Sequence, residues 1–194
     1  MFFFILFALL CAKLKGYRIK PILKAYSLYP FVVIQVLYLF LQVNVFLGNY
    51  DYIKYASIFK SVYLYTLILP LFVYKLYKSS LYGSAFIIIG TILNRFVMHQ
   101  NGGKMPVFAS LSKFTGYYNE SAILTLDNIH IIGDDTTKYK FLTDFIDVGY
   151  SVLSIGDLFI HSFAFIVIYN VIKAINNSLD YTIDIRKENL YGDT

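Results

Sequence analysis

Long apolar runs separated by short polar connectors set the pattern of this chain. An α-helix rises 1.5 Å per residue, so about 20 apolar residues cross the hydrocarbon core of a bilayer. The pattern predicts an all-α polytopic membrane protein in which residues 1–194 form one membrane domain. The predicted helices are about 1–17, 28–47, 55–77, 81–98 and 148–172, with a partly ordered, partly interfacial segment 99–147 and a loose tail 173–194.

Composition excludes a soluble protein. Hydrophobic residues make up 58% of the chain and charged residues 15%, against about 25% charged in soluble domains. The lipid bilayer is therefore the expected partner. The net charge of +5 does not indicate nucleic-acid binding, because the basic residues cluster beside apolar runs, as topology signals do.

The cations near the N-terminus predict the orientation. They follow the first apolar run, whereas a secretory signal peptide carries its cations before the apolar core. Basic connectors lie on the cytoplasmic side, so we expect an N-terminus outside, a C-terminus inside and segment 99–147 outside. The five cations are Lys13, Lys15, Arg18, Lys20 and Lys24.

Small residues mark the fourth predicted helix as a packing element. Gly83, Gly90 and Asn94 fall on one stripe, and small residues let membrane helices approach closely. The sequence favours this helix as the centre of the bundle. Within segment 99–147, the stretch KYKFLTDFIDV places four apolar residues on one side of a predicted interfacial helix, namely Phe141, Leu142, Phe145 and Ile146.

The stretch LNRFVMHQNGGKMPV, residues 93–107, ends that fourth helix. Asn101, Gly102 and Gly103 predict a left-handed helix stop, because glycine tolerates positive φ. The turn is also expected to leave backbone N–H groups facing a ligand. Arg95 is the only arginine in a predicted span.

The fifth predicted helix carries polar residues in apolar surroundings. Ser154, Asp157 and His161 share one helical face. A charged Asp deep in a bilayer costs about 2.5–3.5 kcal/mol, so we expect Asp157 to pair with Arg95 or to bond to the 101–103 turn. Three roles stay open for Asp157: a structural hydrogen bond between helices, a ligand or ion site, and catalysis.

Metal and nucleophile chemistry are not favoured. The sequence has three histidines, His99, His130 and His161, but no close set of ligands such as H-E-x-x-H. Ser154, Asp157 and His161 lie on one helical face, which does not suit the geometry of a catalytic triad. We therefore predict no metal, no cofactor and no catalytic residue.

Several motifs resemble the uncharacterised bacterial membrane proteins grouped as domain of unknown function 5317. The family's N-G-G-x-M-P-V matches residues 101–107, its histidine and Thr-basic-x-x-x-Leu-x-Asp stretch match His130 and residues 137–144, and its S-[VI]-G-D matches residues 154–157. The chain departs from the family at Lys138, where arginine is usual, and at Thr143, where glycine is expected. The resemblance implies a protein of the bacterial inner membrane and supplies no mechanism.

These observations favour a non-enzymatic protein that binds a small ligand, an ion, a lipid head group or a membrane partner protein at the outer face. The alternatives are a membrane enzyme acting on a lipid-linked substrate and a structural subunit of a membrane complex. The candidate binding residues are Asn94, Arg95, Asn101, Gly102, Gly103, His130, Asp144, Ser154 and Asp157.

The predicted orientation places Lys113 outside the membrane. A cysteine introduced by Lys113→Cys in a Cys11→Ser background should react with a membrane-impermeant maleimide in intact spheroplasts. Labelling that requires lysis would show that segment 99–147 is cytoplasmic.

Overall fold

A computed structural model describes residues 2–52, 55–120 and 129–191. It is mostly helical, with two small sheets on one side of the bundle. The helices are α1 (Phe2–Leu14), α2 (Tyr29–Phe46), α3 (Ala56–Thr66), α4 (Ile68–Val73), α5 (Tyr77–Gln100), α6 (Leu111–Phe114) and α7 (Ile155–Tyr191). The strands are β1 (Met105–Val107), β2 (His130–Ile132), β3 (Ile146–Asp147) and β4 (Val152–Leu153).

Three helical segments have the length and apolar character of membrane spans. They are Tyr26–Phe46, Tyr77–Gln100 and Ile155–Ile183, of 21, 24 and 29 residues. The first and third predicted helices have shorter counterparts in Phe2–Leu14 and Ser61–Val73. The structure thus supports a multi-pass membrane protein with three long apolar helices and additional shorter ones.

The third predicted helix is broken at Leu67, between α3 and α4. Pro70 stands in the first turn of α4. Because proline has no N–H, it cannot bond to the carbonyl of Thr66 four residues earlier, and its ring crowds that carbonyl. The proline therefore breaks the helix about one turn before its own position.

The centre of the bundle is α7, and not α5 as the sequence suggested. Within an apolar 18-residue stretch of each span, 39% of the α7 residues are buried, compared with 17% for α5 and 22% for α2. The buried face of α7 packs against α1, α4 and α5. Its core residues are Phe163, Ala164, Val167, Ile168, Val171 and Ile172.

The small-residue stripe of α5 has the predicted packing role. A Cβ added at Gly90 would lie against the carbonyl oxygen of Gly156, and a Cβ added at Gly156 would lie against Asn94. At Gly83, the added atom would meet the ring of Phe163. The α5 and α7 backbones therefore touch at Gly90 and Gly156, a contact that any larger residue would force apart.

Helix α7 differs from its prediction at both ends. It starts at Ile155 and continues to Tyr191, whereas the sequence predicted a helix over 148–172 followed by a loose tail. Residues 146–153 form an antiparallel pair instead, with Ile146 opposite Leu153. Gly149, between these strands, has a φ of +83°, which suits a turn and not a helix.

The predicted interfacial helix over residues 138–148 is absent from the structure. Residues Lys140–Leu142 form one 3-10 turn, and Thr143 is extended, with φ −74° and ψ −177°. The chain then pairs with β1 through Asp144, whose N–H donates to Pro106 O at 3.1 Å and whose carbonyl accepts from Phe108 N at 2.7 Å. Backbone pairing with β1 overrides the amphipathic pattern here.

The crossing of α5 and α7 should be intolerant of a single methyl group. We expect Gly156→Ala to destabilise the protein by about 1–3 kcal/mol, the usual cost of overpacking a tight contact. Gly83→Ala is the matched control and should cost less, because the Phe163 ring can move whereas a helix backbone cannot. Thermal unfolding in detergent measures both, and equal melting temperatures for the two variants would contradict the close crossing.

Candidate functional site

The face of the bundle that carries β1–β4, called the strand face below, begins at the end of α5. The predicted helix stop is confirmed: α5 ends at Gln100, and Gly102 and Gly103 have φ values of +70° and +83°. Gly103 N donates to Met98 O at 2.8 Å, so this N–H caps the helix. The N–H of Gly103 is therefore not free for a ligand, and ligand binding at the 101–103 turn stays a prediction.

The side chain of Asn101 ties a loop to this turn. Its Oδ1 accepts from Lys138 N at 2.9 Å, and its Nδ2 donates to Lys138 O at 3.0 Å and to Val97 O at 2.8 Å. The amide therefore clamps the backbone of one residue from both sides. This geometry makes Asn101 a structural residue.

His130 and Asp144 form a second polar pair on the strand face. His130 begins β2, which runs parallel to β1, and Asp144 bridges to Val107 at the other edge of β1. His130 Nε2 lies 3.3 Å from Asp144 Oδ2, and their side chains are 22% and 5% exposed. The sheet thus brings together two predicted site residues that are 14 positions apart in sequence, in a largely buried pair.

Asn94, Ser154 and Asp157 form the cluster that joins α5 to α7. Ser154 precedes the first residue of α7, and its Oγ accepts from Asp157 N at 2.9 Å. The Asp157 carboxylate reaches back toward Ser154 N at 3.4 Å. These reciprocal contacts form a capping box, in which the carboxylate also lies at the positive end of the helix dipole.

Asn94 completes the cluster from α5. Its Nδ2 donates to Asp157 Oδ1 at 2.9 Å, and its Oδ1 accepts from Ser154 Oγ at 2.8 Å. Both expected partners of Asp157 are wrong. Arg95 is exposed, and Asp157 bonds to Asn94 and Ser154 instead of the 101–103 turn. One residue along a helix is a rotation of about 100°, so the two neighbours face different directions.

Asp157 also occupies a different environment from the one predicted. A helix beginning at Val148 would bury it about 14 Å deep, but α7 begins at Ile155 and Asp157 lies in its first turn. The carboxylate accepts from the side-chain amide of Asn94 and, at a longer distance, from the backbone N–H of Ser154. Of the three roles left open, the structural hydrogen bond between helices is present.

A cavity of about 620 Å³, called the Asp157 cavity below, lies between α3, α4, α5 and α7. Asp157 and His161 line it from α7, Ser80 and Ser84 from α5, and Ser61 and Tyr63 from α3. Apolar residues such as Leu64, Ile68, Ile87 and Phe163 complete the wall. The capping carboxylate is therefore also part of a cavity that combines polar groups with an apolar surface.

Tyr63 and His161 stand between this cavity and a second one. Tyr63 OH lies 2.6 Å from His161 Nδ1, and both residues are buried. Both also line a groove of about 520 Å³ between α1, α2 and α3. The sequence placed His161 on the correct face, but nothing in the α3 sequence indicated Tyr63 as its partner.

Sequence comparison places the chain in a family. The model of the family of unknown function DUF5317 matches residues 19–169. The chain belongs to this family. No curated protein and no solved structure matches the chain significantly.

The DUF5317 match covers the predicted site residues and the Asp157 cavity, and it excludes α1 and the end of α7. The two departures from the family motifs fit the local structure. Asn101 binds only the backbone of residue 138, so a lysine there serves as well as an arginine. Thr143 has a negative φ and donates its hydroxyl to Lys140 O at 2.6 Å, so its position does not require glycine.

Metal ligands do not cluster in the part of the chain that the structure describes. Asp127, which with His130 is the close pair of possible metal ligands in segment 99–147, lies outside that part. His99 is exposed near the end of α5, whereas His130 is paired with Asp144 and His161 with Tyr63. The three histidines thus occupy three separate environments.

Asp147 is a half-buried anchor that the sequence did not single out. Its Oδ2 accepts from Ser110 N at 2.7 Å and Ser112 N at 2.8 Å, and its Oδ1 accepts from Gly149 N at 2.8 Å and from the Ser112 hydroxyl. Partial burial alone would raise the pKa of this carboxyl. The hydrogen bonds from Ser112, Gly149 and Ser110 outweigh burial, so the net pKa of Asp147 is lowered.

Replacing Asp147 should therefore cost stability in a pH-dependent way. A carboxyl whose pKa is lower in the folded than in the unfolded state stabilises the fold above the unfolded value, about 3.9. Asp147→Asn should lower the free energy of unfolding by about 1–3 kcal/mol at neutral pH. This difference from the parent protein should shrink as the pH falls through the lowered pKa of Asp147. Unfolding at pH 7 and pH 3 measures it.

The exposed Asp51 provides the matched control, since Asp51→Asn should change stability little at either pH. A deficit of Asp147→Asn that stays constant between pH 7 and pH 3 would contradict the charged-anchor role.

Proposed function

We propose that this protein binds a small amphipathic ligand in the Asp157 cavity, from the extracytoplasmic side of a bacterial inner membrane. The strand face would lie outside, with five membrane crossings, the N-terminus outside and the C-terminus inside. The basic connector Lys13–Lys24 and the alternation of apolar runs support this orientation. Of the predicted set, Asp157 lines this cavity, and Asn94 and Ser154 position it. His161 and Tyr63 are added to the site as further lining residues.

The observation that carries the proposal is a fixed carboxylate on the wall of a cavity. Asn94 and Ser154 hold Asp157 in place, yet Asp157 still lines about 620 Å³ of space. Capping a helix does not require a cavity beside the cap. Ligand sites of this size are typically apolar with a few fixed polar groups, and ionisable residues within membrane bundles commonly mark such sites.

The lining indicates the chemistry of the ligand. A carboxylate accepts hydrogen bonds at about four positions, so Asp157 retains capacity to accept from a ligand. The group of the ligand that binds Asp157 would be cationic or a hydrogen-bond donor. Ser80 and Ser84 on α5 would make further polar contacts with the ligand. Phe163, Ile87 and Ile68 would pack against the apolar part of the same molecule.

Native mass spectrometry of the protein purified in mild detergent tests the proposal. The parent protein should retain a bound small molecule, and Ser84→Phe, which fills the cavity, should lose it while remaining folded. Asp157→Asn should weaken binding about tenfold, the effect of 1.4 kcal/mol, and the control Asp135→Asn should leave it unchanged. A ligand retained equally by Ser84→Phe and the parent would exclude this cavity as the site.

A further inference from the structure

We propose that the groove between α1, α2 and α3 is a second site, which binds one alkyl chain of a membrane lipid with an uncharged, hydroxyl-bearing head. The chain would lie along α2, and the head would lie at the strand face. This site is distinct from the Asp157 cavity, although Tyr63 and His161 line both. Lipid binding in this groove does not require ligand binding in the Asp157 cavity, so the two proposals are tested separately.

The groove opens onto the surface of α2 that faces the bilayer. Several of its lining residues are strongly exposed: Val32, Val36, Leu39, Val43 and Phe46, at 46–60% of their full surface. They lie on Tyr26–Phe46, one of the three apolar segments long enough to span a membrane. Its rim is thus continuous with the lipid-facing surface, and its apolar floor reaches inward to Phe31 and Tyr63.

The size of the groove suits a lipid chain and not a protein helix. Its volume is about 520 Å³, within the roughly 300–1,000 Å³ of small-molecule sites. Ten residues of helix, about 10 Å wide and 15 Å long, would fill about 1,200 Å³. A neighbouring helix could cover the groove but could not enter it, whereas a single alkyl chain can.

Polar groups at one end of the groove specify the head. Gln42, Tyr150 and Ser151 line this end, beside the β3–β4 pair. Gln42 Nε2 reaches Tyr150 O at 3.5 Å, the long limit of a hydrogen bond. Amide and hydroxyl groups suit the hydroxyls of a glycerol-type head.

Charge complementarity argues against an anionic head. No Lys, Arg, Asp or Glu is among the described residues that line the groove. A phosphate bound here would lack the basic partners that such groups usually find in proteins. The arrangement therefore favours a neutral lipid such as a diacylglycerol over phosphatidylglycerol.

The absence of tryptophan from the sequence allows a direct test. Leu39→Trp places a single fluorophore on the groove, and Leu37→Trp places one on the same helix outside the groove lining. Each full-length variant is reconstituted in phosphatidylcholine vesicles that contain a small fraction of either brominated diacylglycerol or brominated phosphatidylglycerol. Bromine quenches tryptophan only on contact, so quenching reports which lipid occupies each position.

Brominated diacylglycerol should quench Leu39→Trp about fivefold more effectively than brominated phosphatidylglycerol. Phosphatidylglycerol carries its phosphate where diacylglycerol has a free hydroxyl, and a polar group left without a partner there costs at least about 1 kcal/mol. Leu37→Trp should show no preference between the two lipids. Adding Gln42→Leu to Leu39→Trp should reduce the preference.

Equal quenching of the two tryptophan positions by both lipids would overturn the site. A preference for phosphatidylglycerol would overturn the neutral head. Protection of Leu39→Trp from both lipids would show that a protein surface covers the groove and would likewise overturn the proposal.

Discussion

The contact between Gly90 and Gly156 is the constraint on which the rest of the structure depends. Because neither residue has a Cβ, the backbones of α5 and α7 touch. The close approach brings Asn94 within hydrogen-bond reach of both Ser154 and Asp157. Any wider crossing would separate the asparagine from the helix cap, so the packing of two glycines determines the polar geometry beside the Asp157 cavity.

Local backbone rules could be read from the sequence with success. The turn at Asn101–Gly103 and the glycine stripe of α5 follow from positive φ and from close packing, and both depend on few residues. The start of α7 was misjudged although its signals were present. Ser154 and Asp157 have the spacing of a capping box, and Gly149 indicates a turn. The largely apolar run from Val148 nevertheless suggested a helix that begins seven residues too early.

Partners distant in sequence were harder to predict. Arg95 and Asn94 are neighbours, and only the rotation of α5 about its axis decides which of them meets α7. Tyr63 on α3 reaches His161 on α7, a partner 98 positions away in sequence. The amide of Asn176, which no motif distinguishes, accepts from Arg18 N at 2.8 Å and donates to Arg18 O at 3.0 Å. Such contacts arise from tertiary packing, which a local pattern does not contain.

The two asparagine contacts give α7 a property that neither has alone. Asn94 holds this helix at Asp157, and the basic connector is held at Asn176. These attachment points are 19 residues apart, or about 29 Å of helix, close to the 30 Å hydrocarbon thickness of a typical bilayer. Because a helix cannot stretch, the protein would adapt to a bilayer of different thickness by tilting α7 or by deforming the surrounding lipid. The two asparagine contacts therefore hold the α5 crossing and the basic connector at a fixed separation along α7.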